Sequence, residues 1–109
     1  MNAKLFEINP EIYTTWKYRK LAVKQILESE SDSTVIKQIL DEEFRVVERG
    51  LKRNYKSYCA WYHRKWVINM GYSSLDHEFH LLDQLFKADS RNFHGWNYRR
   101  FVAKLKKFF

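Results

Sequence analysis

The sequence predicts an all-α protein, an α-α superhelix of stacked helical hairpins. Gly and Pro together number four in 109 residues, so breaks are few. Aromatics reach 17%, with four Trp, seven Tyr and eight Phe. Bulky residues with few turns favour long packed helices over a sandwich of short strands. One pattern also recurs three times, and recurrence over tens of residues marks a solenoid.

The copies are Asn9–Lys20, Asn54–Lys65 and Ser90–Arg100. They share aromatic-x-x-Trp-x-x-Arg, carried by Tyr13/Trp16/Arg19, Tyr58/Trp61/Arg64 and Phe93/Trp96/Arg99. An apolar run follows each: Leu21-Ala22-Val23, Trp66-Val67-Ile68 and Phe101-Val102-Ala103. The tryptophans stand 45 and 35 residues apart. Residues 1–109 therefore read as one domain of about two and a half repeats, centred near Trp16, Trp61 and Trp96.

Residues 1–8 read as the tail of an earlier helix. Asn9-Pro10-Glu11 supplies an N-cap, a Pro at the first helical position and an acid in the first turn, predicting a helix over 10–28. The polar run Glu28–Ser33 ends it. Val35, Ile36, Ile39, Leu40, Phe44, Val47 and Leu51 keep helical spacing and predict a helix over 34–52. The second Trp copy predicts a helix over 57–70, with Tyr58, Trp61, Lys65 and Ile68 on one stripe. Gly71-Tyr72-Ser73-Ser74 is a linker. Ser73-Ser74-Leu75-Asp76 resembles a capping box and opens a helix over 75–87, with Leu75, Phe79, Leu82, Leu85 and Phe86 on its apolar face. The third copy predicts a helix over 92–107. The Phe108-Phe109 ending lacks the polar face of a capping repeat, so the sequence is expected to be a piece of a longer array.

No stretch approaches the roughly 20 apolar residues that span a bilayer. The first residues lack a signal-peptide apolar run. The lone Cys59 excludes an internal disulfide framework and fits a reducing compartment, so a cytoplasmic protein is expected. The net charge of +7 is uneven. Residues 1–52 carry nine Lys/Arg and nine Asp/Glu, whereas 53–109 carry eleven and four. Such a surplus suits an anionic substrate, an anionic membrane, nucleic acid or an acidic partner chain. Nucleic acid is not expected, because the aromatics fall on periodic core faces and no binding motif is present. A tetratricopeptide-type binding scaffold is the competing reading; its 34-residue period and Trp-Leu-Gly pattern differ from this repeat.

The repeat resembles that of protein prenyltransferase α-subunits, over nearly the whole chain. Within that family, Arg91-Asn92-Phe93-His94-x-Trp96-x-Tyr98-Arg99-Arg100-Phe101-Val102 is most similar to the α-subunits of Rab geranylgeranyltransferases. The α-subunit shared by farnesyltransferase and type I geranylgeranyltransferase comes next. The resemblance implies a crescent around a catalytic β-subunit. It implies transfer of geranylgeranyl from geranylgeranyl diphosphate to C-terminal cysteines of Rab GTPases presented by an escort protein. Zinc and the lipid pocket are implied on the β-subunit, with no cofactor bound by this chain and no turnover by this chain alone.

The family's Lys-x-Tyr-x-x-Trp pattern stands here as Lys56-Ser57-Tyr58-Cys59-Ala60-Trp61. The resemblance therefore makes Lys56 the catalytic cation for the diphosphate, with Tyr58 beside it on the substrate. Arg91, Asn92 and His94 hold the matching positions of the next repeat and are further substrate-binding candidates. Two departures are plain: Tyr55 replaces a common Pro, and the first repeat has Glu11 where Lys56 stands. The chemistry is coherent, since a fixed cation aimed at a leaving diphosphate stabilises the transition state more than the ground state. Cys59 and the four His lack metal-ligand spacing, so no metal is expected on this chain. The Trp and Tyr stripes and Trp66 are expected to pack. Arg19, Arg64 and Arg99 are expected to hold carbonyls or a carboxylate of the next repeat. His63, His77 and His80 are expected at the surface, and Cys59 in the core.

Overall fold

The computed structural model describes residues 13–70 and 74–108. Five helices follow one another: α1 (Tyr13–Ser29), α2 (Ser33–Arg53), α3 (Tyr58–Ile68), α4 (Leu75–Ala88) and α5 (Phe93–Phe108). Their bounds lie within a residue or two of those predicted wherever both are described. The predicted tail over 1–8, the Asn9-Pro10 helix start, Ser73 and the Phe109 ending lie outside the described residues.

Local signals account for most ends. Asp32 caps α2 by accepting from the Thr34 N–H at 2.9 Å, and Lys52 and Arg53 close that helix against its dipole. Ser74 caps α4 by accepting from the His77 N–H at 3.3 Å. The capping box is thereby corrected. His77 occupies the third helical position, and Asp76 instead pairs with Lys106 at 2.8 Å.

The helices pack in two layers. Helices α1, α3 and α5, which carry the Trp copies, touch in series; α2 and α4 form the second layer. The tightest pairs are α2 with α3 and α4 with α5, so each hairpin is one repeat. The slab measures 40 × 34 × 16 Å, two helices thick. The longer first Trp interval goes into longer helices. α1 has 17 residues against 11 in α3, and α2 has 21 against 14 in α4. Gly95 leaves room for the facing helix of the second hairpin: a Cβ there would meet the Phe86 ring at 2.8 Å, and that ring is stacked on Trp96.

The repeated arginine ties the layers together. Arg64 is fully buried. Its Nε donates to Glu78 Oε1 at 2.6 Å, its Nη2 to Glu78 Oε2 at 2.8 Å, and its Nη1 to the Phe44 carbonyl at 3.0 Å. The Tyr98 hydroxyl donates to the same Glu78 at 2.5 Å. One repeat earlier, Arg19 donates to Glu43 at 3.0 Å and pairs with its other oxygen at 2.8 Å. His63 lies 3.0 Å from Glu43 Oε2 and must donate, because a carboxylate only accepts. Tyr98 and His63 both stand two residues after a Trp. Each glutamate thus joins an arginine before it to a Tyr or His after it. The expectation for Arg19 and Arg64 holds. Arg99 differs and lies over the Phe79 and Trp96 rings at 5.3 and 5.9 Å.

His63 is a correction: it is buried, because Glu43 takes its N–H and Trp16 packs its ring at 4.8 Å. Trp16 and Trp61 pack as expected, but Tyr58, Phe93 and Trp96 are exposed. Trp96 lays one face on Phe86 of α4, and among the described residues no further helix covers Tyr58 or Phe93. Cys59 is half-buried and packs against the edge of the core.

Burial, then the adjacent Glu78 charge, pushes the Tyr98 phenol well above the ordinary tyrosine value. The folded chain keeps this proton where the unfolded chain, titrating near pH ~10, releases it. Its stability is therefore full below about pH 10 and falls as pH rises, by at most about 1.4 kcal/mol per pH unit. Urea unfolding at pH 9 and pH 11 should show a smaller fall for Tyr98→Phe than for the parent chain. Equal falls in the two proteins contradict this assignment.

Candidate functional site

Two connectors lead into α3 and α5, and they are built alike. In the first, Asn54 ends α2 with φ −145° and ψ 91°; in the second, Asp89 ends α4 with φ −153° and ψ 90°. Each of these side chains accepts from a backbone N–H two residues on: Lys56 N to Asn54 Oδ1 at 3.1 Å, and Arg91 N to Asp89 Oδ1 at 3.3 Å. Each turn closes with a further bond, Ser57 N to Asn54 O at 3.1 Å and Asn92 N to Asp89 O at 3.2 Å. The Trp indole then reaches back six residues. Trp61 Nε1 donates to the Tyr55 carbonyl and Trp96 Nε1 to the Ser90 carbonyl, both at 2.8 Å. Ser57 caps α3 through the Ala60 N–H at 3.1 Å, and Asn92 caps α5 through the Gly95 N–H at 3.1 Å.

Lys56 and Arg91 therefore occupy the same place in twin turns, one residue before the cap. Both side chains are exposed. Tyr58 opens α3 and stands 47% exposed. Its ring lies 4.5 Å from Tyr62 and 5.3 Å, edge-on, from His94. The structure thus brings Tyr58 and His94 together across the two repeats. Asn92 is buried, its amide oxygen on the Gly95 N–H and its amide nitrogen donating to the Tyr55 carbonyl.

Two open grooves flank the Tyr58–Tyr62 ridge on the free face of the Trp layer. One, of about 530 Å³, runs between α1 and α3 and is lined by Lys17, Lys20, Lys24, Trp16 and Trp66. The other, of about 480 Å³, runs between α3 and α5 and is lined by Lys65, Phe93, His94, Arg100 and Lys104. Lys56 and Arg91 line neither groove. Charge is sorted between the layers. α1, α3 and α5 carry eleven Lys/Arg and one acid, Glu28; α2 and α4 carry six Lys/Arg and seven acids. Among the described residues no three His, Cys, Asp or Glu side chains stand together as a metal site. No described helix is long and apolar enough to cross a membrane.

The family resemblance singles out Lys56 and Tyr58 but not the turns beneath them. The signal was available: Asn54 and Asp89 both stand seven residues before a Trp.

The protein prenyltransferase alpha subunit repeat matches residues 40–71 and 75–105, which is more than half of the chain. The chain belongs to the protein prenyltransferase α-subunit repeat family. The two matched segments are the two hairpins, most of α2 with α3 and nearly all of α4 with α5. This prenyltransferase-type chain is 57% identical to geranylgeranyl transferase type-2 subunit alpha 1 of Arabidopsis thaliana over 76 residues, 69% of this chain and 11% of that protein. It is 41% identical to the type-2 subunit alpha of Dictyostelium discoideum over 59 residues, 54% of this chain and 19% of that protein. It is 32% identical to the type-2 subunit alpha of Homo sapiens over 68 residues, 62% of this chain and 12% of that protein. The chain spans about a tenth of the length of the Arabidopsis relatives it matches.

Proposed function

We propose that the chain is a segment of the α-subunit of a Rab geranylgeranyltransferase, acting in the cytoplasm with a β-subunit. The observation that carries this reading is Lys56, exposed on a backbone turn held from both sides, within a repeat of the prenyltransferase α-subunit family. The three relatives named above all bear the type-2 name, which favours Rab proteins over the substrates of the shared α-subunit of farnesyltransferase and type I geranylgeranyltransferase.

In the reaction, a substrate cysteine sulfur forms a bond to the prenyl C1 as the C1–O bond breaks, and the electron pair leaves with diphosphate. Lys56 meets the charge that grows on that leaving group. Arg91 offers a second cation from the twin turn. Tyr58 and His94 form an aromatic pair suited to the edge of the lipid or of the Rab tail. Zinc belongs to the β-subunit in this reading, as the family resemblance implies; among the described residues no three His, Cys, Asp or Glu side chains stand together to hold it. Bound there, zinc would supply the thiolate form of the substrate cysteine. The escort protein presents the Rab.

Charge sorting supports the partner. Of the eleven cations of α1, α3 and α5, Arg19 and Arg64 are buried on glutamates of the second layer; the other nine, with exposed Tyr62 and Phe93, suit an acidic, partly apolar chain. The reading is tested by co-expressing the α-subunit that carries this segment with a prenyltransferase β-subunit, then assaying transfer to a Rab. A complex that transfers geranylgeranyl, and whose association slows as salt rises from about 50 to 500 mM, is expected. Absence of any complex contradicts the reading and leaves a helical scaffold.

A further inference from the structure

The peptide unit joining Tyr55 to Lys56 is held at both ends. Its N–H, on Lys56, donates to Asn54 Oδ1 at 3.1 Å. Its carbonyl, on Tyr55, accepts twice, from Trp61 Nε1 at 2.8 Å and from the side-chain nitrogen of Asn92. A carbonyl has two lone pairs, so this one is saturated. Because the peptide is planar, three bonds fix its orientation, and with it the point from which the Lys56 side chain departs.

Asn92 is the distant member of this clamp. It lies 37 residues from Tyr55, in the next connector, and is 6% exposed. Its orientation is set by its other duty. Its oxygen must face the Gly95 N–H to cap α5, which turns its nitrogen to Tyr55. The cap of one repeat thereby steadies the turn of the repeat before it.

We propose that Asn92 is a positioning residue for Lys56, acting through the Tyr55 carbonyl and not on substrate. The inference rests on the role given to Lys56 above. A cation serves a developing charge only when it is preorganised, and a misplacement of about 1 Å can cost on the order of 100-fold in rate. Trp61 shares the clamp but is also core, so its replacement reports on folding.

The test is a double-mutant cycle in the α/β heterodimer, read as the single-turnover rate of prenyl transfer at saturating lipid. Asn92→Asp keeps the cap acceptor and replaces the donor with a carboxylate facing a carbonyl. Asn92→Ser, which matches Ser57 of the other connector, keeps a cap and removes the amide; it carries the test if the Asp variant does not fold. Alone, either is expected to slow transfer about 10-fold with the KM for the Rab unchanged. In a Lys56→Ala background, the same change is expected to alter the rate less than about twofold. An equal loss in both backgrounds, or no loss in the parent, overturns the positioning role while leaving Lys56 intact. No loss on Lys56→Ala alone overturns the Lys56 reading and this inference with it.

Discussion

Arg64→Ala is expected to remove a large share of the stability of the chain. Arg64 and Glu78 are both fully buried, and the arginine spends three donors on Glu78 and the Phe44 carbonyl. The arginine pKa shows how the balance falls: burial works against its charge, and the Glu78 bond and charge outweigh it, so the value ends raised. Deleting one partner leaves the Glu78 carboxylate in the core beside the Tyr98 hydroxyl. Such losses run to about 3–5 kcal/mol, against a total of about 5–15 kcal/mol for a domain of ordinary stability. The urea midpoint should fall steeply, and Arg64→Met should behave likewise. Adding Glu78→Gln to Arg64→Met should recover part of the loss, because no unpaired charge then remains buried while Tyr98 keeps an acceptor. A loss below about 1 kcal/mol for Arg64→Ala, typical of exposed pairs, contradicts the account of the network. The exposed pairs Lys37–Asp41 and Arg45–Glu42 are expected to matter far less.

This network also shows where sequence reading stopped. Helix positions were legible because apolar residues keep a 3.6-residue period and the Trp frame marks every second helix. The arginines were legible as structural through their recurrence. Their partners were not. Glu43 sits in the run Asp41-Glu42-Glu43, which reads as a solvated face. Only its register with Glu78, inside Leu40-Asp41-x-Glu43-Phe44 and Leu75-Asp76-x-Glu78-Phe79, gives it away. Those runs stand 35 residues apart, as Trp61 and Trp96 do. A lone histidine carries no local sign of burial; that of His63 comes from helices α1 and α2 closing over it. Lys56 was legible only through the family resemblance, since an exposed lysine between polar residues has no chemistry of its own. The position of Asn92 in the motif points to substrate. Its bond to Tyr55 spans two connectors, and no local spacing could reveal it.

The second large effect is expected at Lys56. Loss of one preorganised donor to a developing oxyanion costs about 2.7–4 kcal/mol in activation free energy, or about 100- to 1,000-fold in turnover. The loss belongs in the chemical step, because the charge on the leaving diphosphate is larger in the transition state than in the bound lipid. Assembly should be untouched, since Lys56 is exposed and packs in neither groove. The most direct test of the central claim is the single-turnover rate of geranylgeranyl transfer by the α/β heterodimer, comparing Lys56→Ala with the parent at saturating diphosphate. The account predicts a fall of at least about 100-fold with lipid affinity changed by less than about tenfold. A rate within about twofold of the parent, in a heterodimer that still forms, contradicts it.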